Sequence, residues 1–187
     1  MSLLYDQIKA YTPDNEQEAR DREEMLLFIE NYPNCLSREN RIGHFTASAW
    51  VVNRDRTKVL MVYHNLYDSW AWTGGHADGE EDLLAVALRE LAEETGVKHA
   101  VPVSREIFSL ETLTVDGHEK RGAYVPSHLH LNVTYLIEAD EDELLTVNAE
   151  ENKGVKWWTN EGALKASTEP WMVKNIYAKL LDKCSRV

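Results

Sequence analysis

Cysteine is scarce in this chain: Cys35 and Cys184 are the two present in 187 residues, far apart and without a C-x-x-C pair. That excludes a disulfide framework and a cysteine zinc site, and leaves both thiols as small buried hydrophobes. Long apolar runs are missing too, since none approaches the roughly 18 residues that a bilayer-spanning helix needs. The first residues show no basic region followed by an apolar stretch, so the expectation is a cytoplasmic protein with no membrane partner. Positive charge is in short supply: 20 Lys and Arg stand against 32 Asp and Glu, a formal charge of -12, with no basic patch. A polyanion such as duplex DNA would be repelled, and nucleic acid is not an expected partner.

What is present describes an ordinary globular chain. Hydrophobic residues make up 43% and charged residues 28%, which is too apolar for intrinsic disorder. The length suits one sizeable core. Residues 1–42 read as a helical extension that packs on a main domain of residues 43–187. Thr12 is a candidate N-cap with Pro13 in the first turn, and Met25, Phe28 and Ile29 follow at helical spacing before Pro33.

Phe45 to Asn53 and Lys58 to His64 read as a β-hairpin around a polar Asn53-Arg54-Asp55-Arg56 turn. A short Trp70-Ala71-Trp72 stretch leads into Gly74-Gly75, and a helical pattern then runs from about Glu81 to Thr95, ended by Gly96. Further strands are expected at Ile107 to Thr114, His128 to Ala139 and Val155 to Thr159. A polar loop from Asp116 to Ser127 separates the first two, and a C-terminal helix starts near Thr168. Strands and helices mix without strict alternation, an α/β chain of the α+β type.

The helix after Gly75 carries the chemistry. Glu90, Glu93 and Glu94 fall within an arc of roughly 100°, because each residue advances the helix by about 100°. Leu84, Leu88 and Leu91 face the other way. Carboxylates at i, i+3 and i+4 repel by a few tenths of a kcal/mol per pair, and a compensating cation is the natural explanation. Hard oxygen ligands suit Mg²⁺ or Mn²⁺, which also bridge to phosphate oxygens. Arg89 can pair with Glu93 at i+4 or with Glu81 across the loop. Taken alone, such a run is more often just the solvated face of a helix.

The surrounding residues change that balance. The segment fits G-x5-E-x7-R-E-U-x-E-E-x-G-U, with U apolar, at Gly75, Glu81, Arg89, Glu90, Leu91, Glu93, Glu94, Gly96 and Val97. This pattern resembles the Nudix box, the signature of the Nudix hydrolases, although it covers only about an eighth of the chain. The resemblance implies a Nudix-like α/β/α sandwich around a central mixed β-sheet, with the box forming loop, helix and loop. It makes Glu90 and Glu94 the principal metal ligands, and Glu93 a further ligand or the base that activates water. The Gly74 carbonyl becomes an additional ligand, while Glu81, Arg89 and Gly75 become supporting residues that orient the carboxylates. Some relatives keep the base outside the box, and Glu150 or Glu151 could take that part here, although a surface role suits either better.

The implied reaction is attack of water on phosphorus in a nucleoside diphosphate linked to another moiety, with Mg²⁺ or Mn²⁺ as cofactor. Some Nudix subfamilies carry a proline or tyrosine roughly 15–18 residues beyond the box. Here residues 111–115 are Glu-Thr-Leu-Thr-Val, which leaves ADP-ribose and dinucleoside polyphosphates unsupported as substrates. Trp70 and Trp72 are candidates for stacking a base, equally well read as core anchors. His76 lies in the glycine loop. His128 and His130 share a strand face, and such a pair can ligate a transition metal. No third ligand is evident, which favours a substrate-lining or surface role. A small nucleotide-like substrate is the expected partner, and the resemblance with the spare aromatics makes a homodimer reasonable. The other readings are a nucleotide-binding sensor on the same fold and isopentenyl-diphosphate isomerase chemistry, for which the expected cysteine-and-histidine segment is missing.

Overall fold

Strand β1 (Gly43–Val52) is buried along its whole length because both of its faces are covered. Its alternation sorts side chains between two cores. Phe45, Ala47, Ala49 and Val51 enter one cluster, Trp50 and Val52 the other, and the polar His44, Thr46 and Ser48 occupy the second face at the strand's beginning. The computed structural model describes residues 2–120 and 122–187, the side chain of Lys120 excepted.

Around β1 the sheet is mixed. It pairs antiparallel with β2 (Lys58–His64) at Val52↔Val59, and parallel with the long strand that we number β9 (His128–Glu138) from Gly43↔Leu129 to Val52↔Glu138. Beyond Trp70 the chain changes partner. β3 (Ser69–Ala71) pairs with β2, whereas β4 (Thr73–His76) pairs with β1, so Trp72 marks the switch. The path runs β10 (Asn152–Thr159), β2, β1, β9, β5 (Val101–Pro102), and β6 (Ser109–Val115) also pairs with β9. A separate two-stranded hairpin, β7 (His118–Lys120) with β8 (Ala123–Val125), lies in the segment expected to be loop; Arg121, between the two strands, lies outside the described residues.

Helices cover both faces, in agreement with the expected sandwich. On one side lies α3 (Leu83–Thr95), with Leu83, Leu84, Val86, Ala87 and Leu91 buried against the sheet. The N-terminal helices α1 (Leu3–Ala10) and α2 (Glu16–Asn31) add Leu4, Ile8 and Met25 to the same core. The other face carries α4 (Asn160–Ala166) and a C-terminal helix. That helix begins as α5 (Pro170–Met172), widens into a π-helical turn at Val173–Tyr177 and continues as α6 (Ala178–Cys184). Ile176, Tyr177, Leu180 and Cys184 fill the second core. Both cysteines are free and buried, as their scarcity suggested. Among the described residues no helix is long and apolar enough to cross a membrane.

Several boundaries differ from the sequence reading. The second helix is capped by Asn15, whose side chain accepts from Glu18 N–H at 2.9 Å, rather than by Thr12. Both are good N-cap types; what decides is that α1 ends just before Thr12. Helix α3 starts after Asp82, whose side chain accepts from Ala85 N–H, and ends at Gly96 with φ 76°, the left-handed turn anticipated there.

Charged groups are buried between α2, α6 and β6. Glu18 accepts from Ser109 Oγ at 2.7 Å, Tyr11 OH at 2.6 Å and Lys183 Nζ at 2.9 Å, and lies 3.2 Å from Lys179 Nζ, which also reaches Glu111 at 3.0 Å. Burial would raise the Glu18 pKa, but the hydrogen bonds from Tyr11 and Asp14 N–H and the charge of Lys179 outweigh it and hold the carboxyl below its ordinary range. A depressed carboxylate contributes stability above its unfolded pKa and loses it as pH falls through the folded value. Glu18→Gln should therefore cost about 3–5 kcal/mol at pH 7, where it leaves the buried Lys183 ammonium without a carboxylate and Lys179 with Glu111 alone, and progressively less toward pH 3. Urea melts at the two pH values read this directly.

Candidate active site

The glycines of β4 let the box helix come into contact with the sheet. A Cβ on Gly74 would lie 2.6 Å from both Ala47 O and Ser48 Oγ, and one on Gly75 would collide with the Glu90 carboxylate. Close approach of backbone is what glycine permits. Through it, Glu94 Oε2 accepts from Gly74 N–H at 3.0 Å, and its Oε1 accepts from Asn152 Nδ2 at 3.3 Å across the cleft.

The three box glutamates are placed unequally. Glu94 is buried at 3% exposure, the Glu90 side chain is 16% exposed, and the Glu93 side chain is open at 59%. Burial pushes the Glu94 carboxyl up to about 8, against the two hydrogen bonds that oppose it, and the neighbouring charges of Glu151 and Glu90 add to the rise. Glu90 is also raised by burial, partly offset by Arg89 and reinforced by Glu93 and Glu151. Arg89 Nη2 donates to Glu90 Oε1 at 2.9 Å and reaches the His76 carbonyl at 3.4 Å; its Nε lies 4.0 Å from Glu93. The pairing of Arg89 is thus with its neighbour Glu90 and with Glu93. Glu81 is exposed at the loop and is not part of the cleft lining.

These groups open into a cleft of about 960 Å³, within the range of small-molecule sites. One end holds Gly74, Gly75, His76 and Glu90, Glu93 and Glu94, with Glu151 facing them. Glu150 lies outside the lining. The floor is the polar face of the sheet, where Asn132 Oδ1 accepts from Thr46 Oγ1 and Ser48 Oγ, each at 2.9 Å. The far wall is aromatic: Trp72, Tyr177 and Trp171. Trp72 meets Tyr177 edge-on at 5.8 Å. Trp70 packs against the same core, but its ring is enclosed by Tyr63 at 5.4 Å and Trp158 at 5.2 Å and does not reach the cleft. The strand switch at Trp72 separates the two.

The NUDIX domain family model matches residues 43–181. The chain belongs to the NUDIX family. With Glu90, Glu93 and Glu94 of the box lining its cleft, it is a Nudix-type pyrophosphohydrolase. Solved structures share the fold at low identity. A binary complex of a C. elegans Ap4A hydrolase has TM-score 0.55 at 20% identity, covering 76% of this chain and 95% of that one. The Nudix hydrolase RenU from M. smegmatis gives 0.55 at 15%, covering 78% and 88%. The E. coli dihydroneopterin triphosphate pyrophosphohydrolase gives 0.53 at 13%, covering 74% and 94%. No curated protein matches the chain by sequence.

Sequence reasoning missed several residues of this Nudix cleft. Arg38 pairs with Asp78, Nε to Oδ1 at 2.6 Å with a second contact between Nη2 and Oδ2, and clips the 35–40 segment to the glycine loop. His44, Thr46 and Ser48 carried a usable signal: polar residues at every second position of an otherwise apolar strand mark a buried polar face. Tyr67, Glu169 and Trp171 come from loops and from the start of the last helix, where no periodicity points to a cleft.

Two outcomes follow from the glycines and the buried carboxylate. Gly75→Ala should fold, because the obstacle is the end of a movable side chain, yet displace the Glu90 carboxylate and lower turnover by at least about tenfold; Gly74→Ala meets backbone and should lower the melting temperature instead. Thermal melts and turnover of the two variants separate these effects. For Glu94 the folded pKa is raised, so in the metal-free protein ionisation costs nothing below the unfolded pKa and a growing amount as pH rises toward about 8. Metal-free Glu94→Gln should therefore be more stable than wild type by a few kcal/mol at pH 8, with the difference vanishing near pH 4.5.

Proposed function

We propose that the chain hydrolyses a phosphoanhydride bond in a nucleoside diphosphate linked to another moiety, with Mg²⁺ or Mn²⁺ bound by Glu90, Glu93 and Glu94. The observation that carries this reading is the charge imbalance of the cleft. Four carboxylates, those of Glu90, Glu93, Glu94 and Glu151, converge at one end, and the arginines that line the cleft among the described residues, Arg38 and Arg89, are engaged with Asp78 and Glu90. An anionic diphosphate would meet repulsion there unless cations accompany it. The donor set suits the ion: carboxylate oxygens, one of them kept protonated by burial until a cation displaces the proton, with glycine backbone alongside. A bound ion would neutralise phosphate oxygens and acidify a water molecule.

The rest falls to side chains of the chain. Gly74 N–H and Asn152 fix the orientation of the Glu94 carboxylate, and Arg89 fixes that of Glu90. Glu93, exposed and held at one edge by Arg89, is the base candidate within the box, and Glu151 is the candidate outside it. Trp72, with Tyr177 and Trp171, offers flat surfaces against which a base can stack, about 1–3 kcal/mol per stacked base in single-stranded recognition. His76 and His130 also line the cleft.

A panel of nucleotide sugars, dinucleotides and nucleoside triphosphates with Mg²⁺ or Mn²⁺ tests the reading. Turnover of nucleoside diphosphate derivatives is expected, reduced by about 10³-fold or more in Glu90→Gln and Glu94→Gln with the fold retained. Folded, metal-loaded protein that turns over no member would overturn it. If a member then binds tightly without turnover, and a ligand-dependent partner survives Glu94→Gln, a nucleotide sensor takes its place.

A further inference from the structure

Four histidines from three strands meet at the floor of the cleft, and one of them, His76, directly follows Gly75 at the carboxylate end. His44 and His130 are register partners on the parallel pair β1 and β9, and His76 pairs opposite Thr46, two residues along β1. Ring centroids lie 5.1 Å apart for His44 and His76, 5.0 Å for His44 and His130, and 4.9 Å for His76 and His130. His128 adds a fourth ring 5.0 Å from His44 and 5.1 Å from His130.

Hydrogen bonding fixes which nitrogens keep lone pairs. His44 is 4% exposed, and its Nδ1 lies 3.1 Å from the Asn40 carbonyl, which can only accept; the proton is therefore on Nδ1, and Nε2 presents a lone pair. That Nε2 is buried with no hydrogen-bond partner among the described residues, an arrangement that ordinarily destabilises a fold. His128 is fixed the same way by the Pro126 carbonyl at 2.8 Å, so its Nε2 accepts from His130 Nε2–H at 3.2 Å. His130 then keeps its lone pair on Nδ1. An imidazole whose second nitrogen donates to a backbone carbonyl is the arrangement found in metal-ligating histidines.

We propose that His44, His76 and His130 form a second metal site for a borderline transition-metal ion of the Zn²⁺ and Co²⁺ class, with His128 as the positioning residue that orients His130. One ring nitrogen from each of the three lies within 4.8 Å of the others. A tetrahedral ion with metal–nitrogen bonds near 2.05 Å needs them about 3.4 Å apart, a contraction that side-chain rotation can supply. Imidazole donors select this class over Mg²⁺, which separates the site from the carboxylates. Burial among the other rings also holds the His130 imidazole neutral, its pKa pushed down to about 2, so protons do not compete for it. With His76 and His130 on the cleft lining, the fourth coordination position faces the cleft.

The test uses the chelator-treated full chain carrying Glu94→Gln, which cripples the carboxylate site, in millimolar Mg²⁺. Zn²⁺ titration by calorimetry is expected to give one site per chain, and Co²⁺ should develop the intense visible absorption of tetrahedral nitrogen coordination. Adding His130→Gln or, in case that buried change disturbs folding, His76→Gln should weaken Zn²⁺ by more than about 100-fold, and His128→Ala by about 10–100-fold, in protein whose circular dichroism is unchanged. Absence of a site in the Glu94→Gln background, or a site that persists with unchanged affinity in the folded His76→Gln variant, overturns the proposal. Either outcome leaves the hydrolytic reading to be judged by its own substrate panel.

Discussion

The contact between the Glu94 carboxylate and the Gly74 amide governs the rest of the cleft, because it is where the box helix touches the sheet. Helix α3 is held down by its other side. Full burial of a leucine-sized side chain contributes about 1.5–3 kcal/mol, and Leu83, Leu84, Val86 and Leu91 are all buried. That sum exceeds the cost of burying one carboxyl, most of which is avoided while Glu94 keeps a proton. The helix can thus sit against the strand in the metal-free protein, with the carboxylate oriented before any ligand arrives. The price of that orientation is steric: Gly74 faces backbone and accepts no Cβ, and a Cβ at Gly75 would displace the Glu90 carboxylate.

A second constraint ties the N-terminal helices to the cleft floor. From Glu18 on α2 the buried contacts pass to Lys179, then to Glu111 on β6, whose Oε2 accepts from Thr134 Oγ1 at 2.7 Å and from Asn132 Nδ2 at 3.1 Å. Asn132 in turn holds Thr46 and Ser48. Two glutamates and two lysines nearly cancel, so the network avoids the cost of a lone buried charge, but it does so only with every member in place. Residues before β1 are thereby connected through hydrogen bonds to side chains that line the cleft.

Much of this was legible in the sequence, for reasons that differ by element. The box helix was readable because its leucines and glutamates separate at a period of 3.6 and Gly96 ends it, both local effects. The hairpin of β1 and β2 was readable from apolar runs around a polar turn. The short hairpin at 118–125 was not, since its strands are three residues each and polar. Nor was the second helix start, where Thr12 and Asn15 are chemically similar caps and only the end of α1 chooses between them. Trp70 and Trp72 share a core, yet the partner change between them sends one ring under Tyr63 and Trp158 and leaves the other at the cleft. His-x-His on β9 could be read as a pair; its neighbours His44 and His76 come from strands 50 or more residues away, and strand pairing is the step that sequence periodicity does not contain.

The cleft separates two kinds of ligand chemistry along its length. At the box, the carboxyls of Glu90 and Glu94 sit in surroundings that favour their protonated form, so a cation and a proton compete for Glu94. On the floor, imidazoles sit in surroundings that favour their neutral form, in which a lone pair stands ready. Burial acts on both in the same way, by penalising charge, and yields opposite consequences because carboxylates are charged when deprotonated and imidazoles when protonated. Lowering the pH therefore neutralises Glu94 before it charges His130. For a protein of net charge -12, the approach of an anionic diphosphate depends on positive charge brought into that cleft, since Arg38 and Arg89, the arginines lining it among the described residues, are already committed to Asp78 and Glu90.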